Sequence, residues 1–213
     1  MPRVPASQRE QYAEARREQI LEAALRVFSG GGFAETTMDQ VAADAGLSKA
    51  CLYTYFPTKE ALLQQLVERY NLLPELGELI EAVREEPPAS GIPKLVAEIW
   101  RRLRERKELA RVLVREVHSF PERSRVVTER VRLPAYRALG EYLEDWMRRG
   151  ALKKRDPFAT AQCLFGMLWF FLLSQELMED KERHPLSDRE IADVVSDTFL
   201  GGAAELAPRR ARR

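Results

Sequence analysis

A stretch near the start of the chain, residues 46–62 (GLSKACLYTYFPTKEAL), combines aromatic rings with few charges. Ser48 should begin a short helix in which Lys49 and Tyr53, four residues apart, share one face. The lysine supplies hydrogen-bond donors and a positive charge, and the phenol supplies a flat, partly apolar surface. With the small side chain of Ala50 beside them, this face suits contact with base edges and phosphates in a DNA major groove.

The opposite face of the same helix is apolar, because Leu52 and Phe56 also stand four residues apart and should pack onto neighbouring helices. The preceding helix should begin at Thr37, which forms a predicted capping box with Gln40, and should end at Gly46. Two short helices joined by a tight turn form a helix-turn-helix. For a single tyrosine, half-buried packing is the alternative interpretation, since tyrosine is commonly intermediate in burial.

Almost the whole chain is predicted to be helical, because alternating β-branched runs and hairpin turn signals are absent. A first helix is expected over residues 13–29, and a fourth helix should begin after Thr58. A loop is expected at residues 84–93, and Pro134 should kink or split the helix that contains it. The longer helices are predicted over residues 94–118, 122–149, 157–182 and 188–206.

The predicted fold class is all-α, with a three-helix helix-turn-helix domain followed by a larger helical domain. The first domain is expected over residues 1–57 and includes an N-terminal arm. The second is expected over residues 58–207, and its first helix, 58–73, should connect the two domains. Residues 208–213 (PRRARR) are expected to be a basic tail.

Composition argues against several functional classes. The net charge of +1 gives no general sign of a polyanion partner, and Cys51 and Cys163 are too far apart for a CxxC pattern. A disulfide scaffold and a zinc site are therefore not expected, and the chain fits a reducing cytoplasm. The polar N-terminus does not look like a signal peptide. The apolar run at residues 163–173 is too short to span a bilayer, so a buried helix and no membrane partner are expected.

An enzyme is the first alternative function, and the sequence offers little for it. The two histidines, His118 and His184, lie in no Glu-x-x-His pair, and no Gly-rich phosphate loop, GxSxG or HExxH occurs. No catalytic residue, metal or cofactor is therefore expected. The second alternative is a helical protein that dimerises and binds other proteins rather than DNA.

Residues 19–63 resemble the DNA-binding domain of the TetR family of transcriptional repressors. The matching elements are ILEAA…F…G in the first helix, T…VA…AG.S in the helix-turn-helix, and LY.YF..KE.L after it. They occur in the same order and spacing but cover only about the first quarter of the chain. The rest resembles the family in architecture alone, which implies a helical domain for ligand binding and dimerisation.

The resemblance implies a sequence-specific DNA-binding regulator, a repressor, and gives roles to single residues. Thr37 would contact phosphate at the start of the second helix, and Tyr55 and Lys59 would hold phosphates. The recognition helix would carry Lys49, Ala50, Cys51 and Tyr53, next to its cap Ser48. Cys51 would touch a thymine methyl, respond to oxidation, or simply pack as a small residue.

Electrostatics alone would not give this domain its affinity, because residues 1–59 contain seven basic and seven acidic side chains. Local placement and a dimer that doubles the contacts must supply it. Two recognition helices one DNA turn apart would read a palindrome. The last two long helices are the expected dimer surface, since residues 160–178 are apolar on all sides. The alternative is that this helix is central within one subunit.

A small-molecule effector is expected between the middle helices, although plain core packing is the better explanation for each candidate residue taken singly. The candidates are Trp100, Leu103, Leu113, Val117, Phe120, Tyr136, Leu139, Leu143, Phe165 and Trp169. Residues 101–137 contain twelve basic and five acidic side chains, which favours either an anionic amphiphile such as an acyl-CoA or an ion-paired surface. Effector binding would tilt the connecting helix and lower DNA affinity.

Overall fold

The computed structural model describes residues 6–119, 125, 127–178 and 180–203, with side chains for all of these except 6, 116–119 and 180. Helices joined by short turns make up this part of the chain, which confirms the all-α prediction. Residues 1–5 of the predicted arm and the predicted basic tail at 208–213 lie outside the described residues.

The first helices, in chain order, are α1 (Ala6–Gly31), α2 (Met38–Asp44), α3 (Lys49–Tyr55), α4 (Lys59–Tyr70), α5 (Leu73–Val83), α6 (Pro88–Glu105) and α7 (Lys107–Ser119). The later elements are a π-helical turn (Thr128–Arg132), α8 (Leu133–Arg148), α9 (Pro157–Leu172), a second π-helical turn (Leu173–Leu177), α10 (Asp180–Arg183) and α11 (Asp188–Ala203).

Several predicted boundaries are wrong, each for a local reason. α1 begins at Ala6, seven residues earlier than expected. The expected loop at 84–93 is partly helical, because a proline at the start of α6 loses no hydrogen bond there. The single helix expected over 94–118 is broken at Arg106, which leaves the helical conformation between α6 and α7. Pro134 lies in the first turn of α8, directly after a π-helical turn, so the hydrogen-bond pattern of the helical segment changes just before this proline.

The chain divides into two compact units. The first unit takes the described parts of Met1–Asn71 and Glu108–Val127, and the second takes those of Leu72–Lys107 and Thr128–Arg213. α7 therefore packs with α1–α4 although two helices separate it from them in sequence. α4, which was expected to open the second domain, lies within the first unit.

The core of the first unit is aromatic at its centre. Phe28 at the end of α1 and Phe33 in the following turn meet edge to face, with ring centroids 5.0 Å apart, and both are fully buried. Leu52 and Phe56 are buried in the same core, which confirms the predicted inner face of α3. α7 contributes Leu109 and Val112 among others to this core, so burial of its apolar stripe holds it against the first four helices.

The second unit is a helical bundle in which α8 packs on α9, α6 packs on α11, and α5 contacts both α6 and α8. Trp100 on α6 is 1% exposed, and its indole Nε1 donates a hydrogen bond to Oδ1 of Asp188, 2.9 Å away, at the start of α11. Ser187 and Glu190 form a reciprocal capping box at the same end of α11. This hydrogen bond thus links the buried Trp100 side chain to the start of α11.

α9 is unusually apolar for a helix at a protein surface. Its inner stripe is buried and comprises Ala161, Leu164, Leu168 and Leu172. Its outer side still exposes Cys163, Gly166 and Phe170, the last with 65% of its surface accessible. Among the described residues, the helical segment Pro157–Leu177 is long and apolar enough to cross a membrane, by length and composition alone. In the 18-residue stretch of it that meets these criteria, 28% is buried. The helix is thus longer than the apolar run at residues 163–173 that it contains, and its inner stripe packs as core.

Candidate nucleic-acid interface

The start of α2 is a fully capped helix end on the surface of the first unit. The exposed residue Thr37 is the N-cap, and its Oγ1 accepts a hydrogen bond from the backbone N–H of Gln40 at 3.2 Å. The Gln40 side chain in turn accepts from the backbone N–H of Thr37 at 2.7 Å. The predicted capping box is confirmed, and it leaves the positive end of the α2 dipole facing solvent beside Thr37.

The turn between α2 and α3 is tight because Gly46 adopts a left-handed conformation, with φ +66°. The backbone N–H of Leu47 closes this turn by donating to the carbonyl of Ala42 at 2.8 Å. Gln19 on α1 also donates its amide to the carbonyl of Ala45 at 2.6 Å. Sequence reasoning gave Gln19 no role, since nothing in a local pattern connects it to a turn 26 residues away.

α3 presents one face to solvent. Ser48 caps the helix by accepting from the backbone N–H of Cys51 at 3.2 Å, and Cys51 itself is half-buried. Lys49 and Ala50 are exposed, and Tyr53 is 42% exposed. This arrangement places a lysine, a methyl group and a phenol together on a rigid helix, where they are free to meet base edges in a major groove.

An acidic residue that sequence reasoning missed lies beside this face. Asp39, on the first turn of α2, accepts from Lys49 Nζ with N–O distances of 2.8 and 3.0 Å. This hydrogen bond and the charge of Asp39 raise the pKa of Lys49 above its usual value. The ammonium also lies 6.0 Å from the centroid of the Tyr53 ring. Lys49 is therefore charged and held over α3 before any DNA arrives.

Tyr55 and Lys59, the two residues expected to hold phosphates, are more buried than the side chains on the exposed face of α3. Tyr55 is half-buried against the first-unit core, and the guanidinium carbon of Arg17 lies 5.8 Å from its ring centroid. Lys59 is half-buried at the start of α4, and its Nζ donates to the carbonyls of the turn between α1 and α2.

The described effector candidates fall in both units. Trp100, Leu139 and Leu143 are fully buried in the second unit, whereas Leu113 packs on the first-unit core. Leu103 is half-buried, and Trp169 is 37% exposed.

Two of the expected effector residues do meet. The rings of Tyr136 and Phe165 lie 5.6 Å apart. Phe120 lies outside the described residues, as does the side chain of Val117.

A surface cleft of about 200 Å³ opens beside Tyr136, between α8 and the start of α9. Its aromatic wall is formed by Tyr136 and Phe158, whose rings meet edge to face at 5.5 Å. The rest of its lining is mostly charged and comprises Arg137, Gly140, Glu141, Glu144, Asp156 and Pro157. Carboxylates outnumber the single arginine in this cleft.

The basic run that begins at Arg101 is ion-paired, in its described first part, with carboxylates from other parts of the chain. Arg102 and Arg106 both contact Glu75 on α5, and Arg102 also contacts Glu98. Lys107 Nζ lies 3.0 Å from Oε2 of Glu176, whose side chain is only 5% exposed. Of the two interpretations of this run, the ion-paired surface matches these contacts.

Two family models match the chain, and together they cover more than half of it. The model for bacterial regulatory proteins of the tetR family matches residues 20–66, and the model for the C-terminal domain of AefR-like transcriptional repressors matches residues 102–200. The chain therefore belongs to the TetR family of transcriptional regulators. It is a soluble regulator with a helix-turn-helix domain, from a non-enzymatic family.

Relatives of known sequence and structure agree with this assignment. The chain is 27% identical over 189 residues to the HTH-type transcriptional regulator YhgD of Bacillus subtilis, covering 87% of this chain and 94% of that protein. It is 28% identical over 113 residues to YerO of the same organism, covering 52% of this chain but only 39% of YerO. The fatty acid degradation regulator FadR from Bacillus halodurans has the same fold, with a TM-score of 0.74 and 21% identity over 88% of this chain and 95% of that one.

Proposed function

We propose that the chain is a homodimeric transcriptional repressor that binds a palindromic operator and leaves it when a small lipophilic effector binds. The observation that carries this proposal is the face of α3. Leu52 and Phe56 anchor the helix in the core, while Lys49, Ala50 and Tyr53 stand exposed on the other side. A recognition helix needs both properties, because a fixed backbone is what gives base contacts their register.

The dimer would form through α9 and α11. Phe170 on α9 and Val194 on α11 are large apolar side chains with 65% and 53% of their surfaces exposed. Gly166 on the outer side of α9 has open space where a Cβ would stand, so another helix has room to approach closely there. A second copy packing on this side would cover these residues in a four-helix arrangement. Protein rather than lipid is the expected cover, because the chain is a soluble regulator.

The effector is proposed to be lipophilic, and support for this comes from two directions. The fold is shared with a protein described as a fatty acid degradation regulator. The second unit also offers a small aromatic group, in which the ring of Tyr136 contacts those of both Phe158 and Phe165. An acyl-CoA remains one candidate, but its phosphates would have to displace carboxylates such as Glu75 and Glu176 from the basic residues they bind.

Release would follow from a change in the spacing of the two recognition helices. α4 is packed into the first-unit core by Leu62, Leu63 and Leu66, so a tilt of α4 would carry the helix-turn-helix with it. A coupling of about 1–3 kcal/mol between effector and operator is typical of such systems. The protein would act in the cytoplasm, where operators and metabolic effectors meet.

The double variant Lys49→Ala/Tyr53→Ala tests the proposed role of α3. Both side chains are exposed, so the fold should change by no more than about 0.5 kcal/mol. Binding to a duplex selected by the wild-type protein should fall by at least about a hundredfold, since each good base contact is worth about 1–3 kcal/mol. Lys94→Ala, at a 62% exposed side chain on α6, is the matched control and should bind as wild type. A double variant that keeps full DNA affinity would favour a protein-interaction role instead.

A further inference from the structure

Lys59 is more fully engaged by its own chain than a phosphate-binding lysine should be. Its Nζ lies 2.6 Å from the carbonyl oxygen of Phe33, 3.2 Å from that of Ala34 and 2.8 Å from that of Thr36. The same ammonium lies 4.5 Å from the centroid of the Phe33 ring, which is fully buried. The lysine therefore closes over the turn between α1 and α2.

The number of N–H donors on the ammonium determines whether Lys59 can also bind a phosphate. A lysine has three N–H donors and no acceptor, and three backbone carbonyls surround the Nζ of Lys59. Hydrogen bonds from a charged donor are among the stronger ones, and the aromatic face adds further attraction. A phosphate oxygen could be bound only by giving up one of these contacts.

The turn that Lys59 holds leads directly into the start of α2. The carbonyl of Thr36 belongs to the same peptide group as the backbone nitrogen of Thr37, the N-cap of α2. Thr36 is itself buried, and its hydroxyl donates to the carbonyls of Gly32 and Phe33 at 2.8 and 3.2 Å. Holding this turn therefore fixes where α2 begins relative to the first residue of α4.

We infer that Lys59 is a positioning residue, which aligns the N-terminus of α2 for DNA by binding the carbonyls of Phe33, Ala34 and Thr36. Lys59 then acts on DNA binding through the placement of Thr37 and the start of α2, without touching phosphate itself. This inference rests on the proposed DNA-binding function and replaces the direct phosphate role that the family resemblance implies for Lys59.

The first test uses the free protein and needs no DNA. In Lys59→Met, hydrogen exchange at the backbone amides of Gln40 and Val41 should become at least about tenfold faster, the effect of losing hydrogen bonds to a charged donor. Amides of α11, which lies in the second unit, should exchange as in wild type. A lysine that only binds phosphate would leave Gln40 and Val41 unchanged, and a uniform increase in the α1 core as well would indicate general destabilisation; either result overturns the inference.

The second test separates charge from geometry on DNA. Binding to the duplex that wild type selects from a randomised pool is measured across salt concentrations for Lys59→Met and Lys59→Arg. Both variants should lose about tenfold to a hundredfold in affinity, because the planar guanidinium cannot converge on three carbonyls as an ammonium does. The dependence of log affinity on log salt should keep its wild-type slope. If Lys59 instead contacts a phosphate, the arginine variant should bind almost as well as wild type. The methionine variant should then show a shallower dependence of log affinity on log salt, with a slope smaller by about 0.9 for each subunit of the dimer.

Failure of this inference can be told apart from failure of the proposed function. If wild type binds no duplex, the repressor proposal fails, and the exchange experiment still decides what Lys59 does in the free protein. If wild type binds a duplex and Lys59→Met shows the smaller slope with unchanged exchange, the positioning role fails while the repressor proposal stands. If Lys59→Met does not fold, Lys59→Arg is used for both the hydrogen-exchange and the DNA-binding measurements.

Discussion

Lys49 Nζ on α3 lies 2.8 Å from Oδ1 of Asp39 on α2, so a carboxylate holds the most exposed cation of the recognition helix. The two side chains are 60% and 61% exposed, and a pair so accessible contributes at most about 1 kcal/mol to stability. Its consequence should therefore appear in DNA binding. Asp39 restrains Lys49 and repels phosphates, which lowers binding to unrelated sequences more than binding to the right one.

Asp39→Asn should accordingly raise affinity for a random-sequence duplex by about threefold to tenfold, the effect of removing one nearby like charge in a partly solvated site. Affinity for a selected duplex should rise less, so the ratio of the two should fall. Fluorescence anisotropy at low and moderate salt measures both. Glu78→Gln, at an exposed residue on α5 in the second unit, is the control for net charge. Equal gains from both variants would show that the position of Asp39 is irrelevant.

The outer side of α9 provides a second prediction. Phe170→Asp should convert the dimer into monomers by raising the dissociation constant at least about a hundredfold, since each copy would lose a buried aromatic contact worth about 1.5–3 kcal/mol. Sedimentation velocity measures the mass, and far-ultraviolet circular dichroism checks that helix content is retained. Tyr12→Asp, at a 73% exposed aromatic residue on α1, should leave the mass unchanged. If the Phe170→Asp protein stays dimeric, the dimer interface does not include this side of α9.

Glu176 provides a prediction about pH. Burial raises the pKa of this carboxyl, but hydrogen bonds from Lys181 and Lys107 outweigh burial and leave its pKa below the usual value. A lowered folded-state pKa contributes stability that is present above the unfolded value of about 4.3 and is lost as pH falls through the lower folded value. Glu176→Gln should therefore destabilise the second unit by about 1–3 kcal/mol near pH 7, and the difference from wild type should shrink below about pH 4.

Urea unfolding followed by tryptophan fluorescence suits this test, because Trp100, Trp146 and Trp169 all lie in the second unit. Glu10→Gln, at an exposed glutamate on α1, is the matched control and should unfold as wild type at every pH. A Glu176→Gln deficit that stayed constant down to pH 3 would show that the ion pairs do not stabilise the unit.

Local patterns in the sequence predicted the local structure of the interface well. The capping box of Thr37 and Gln40, the left-handed Gly46 and the inward side chains Leu52 and Phe56 all depend on residues a few positions apart. Such spacings determine which face of a helix is buried and where the helix begins. The helix-turn-helix could therefore be read directly.

Contacts between distant parts of the chain could not be read in the same way. The approach of Asp39 to Lys49 and the three carbonyls around Lys59 appear only once α1, α2 and α4 are packed together. A lysine in a sequence carries no sign of whether its donors will face solvent or backbone. The division of the expected effector residues between the two units has a similar cause, since apolar periodicity marks burial without distinguishing a core from a ligand site.

The most direct measurement is selection from a pool of randomised DNA duplexes with the purified protein, followed by sequencing of the retained duplexes. A dimeric repressor predicts an enriched palindrome whose half-sites lie about one helical turn apart, with binding that falls steeply as salt rises. The double variant at Lys49 and Tyr53 should enrich nothing from the same pool. A folded wild-type dimer that enriches no sequence even at low salt would contradict the proposal that α3 reads DNA.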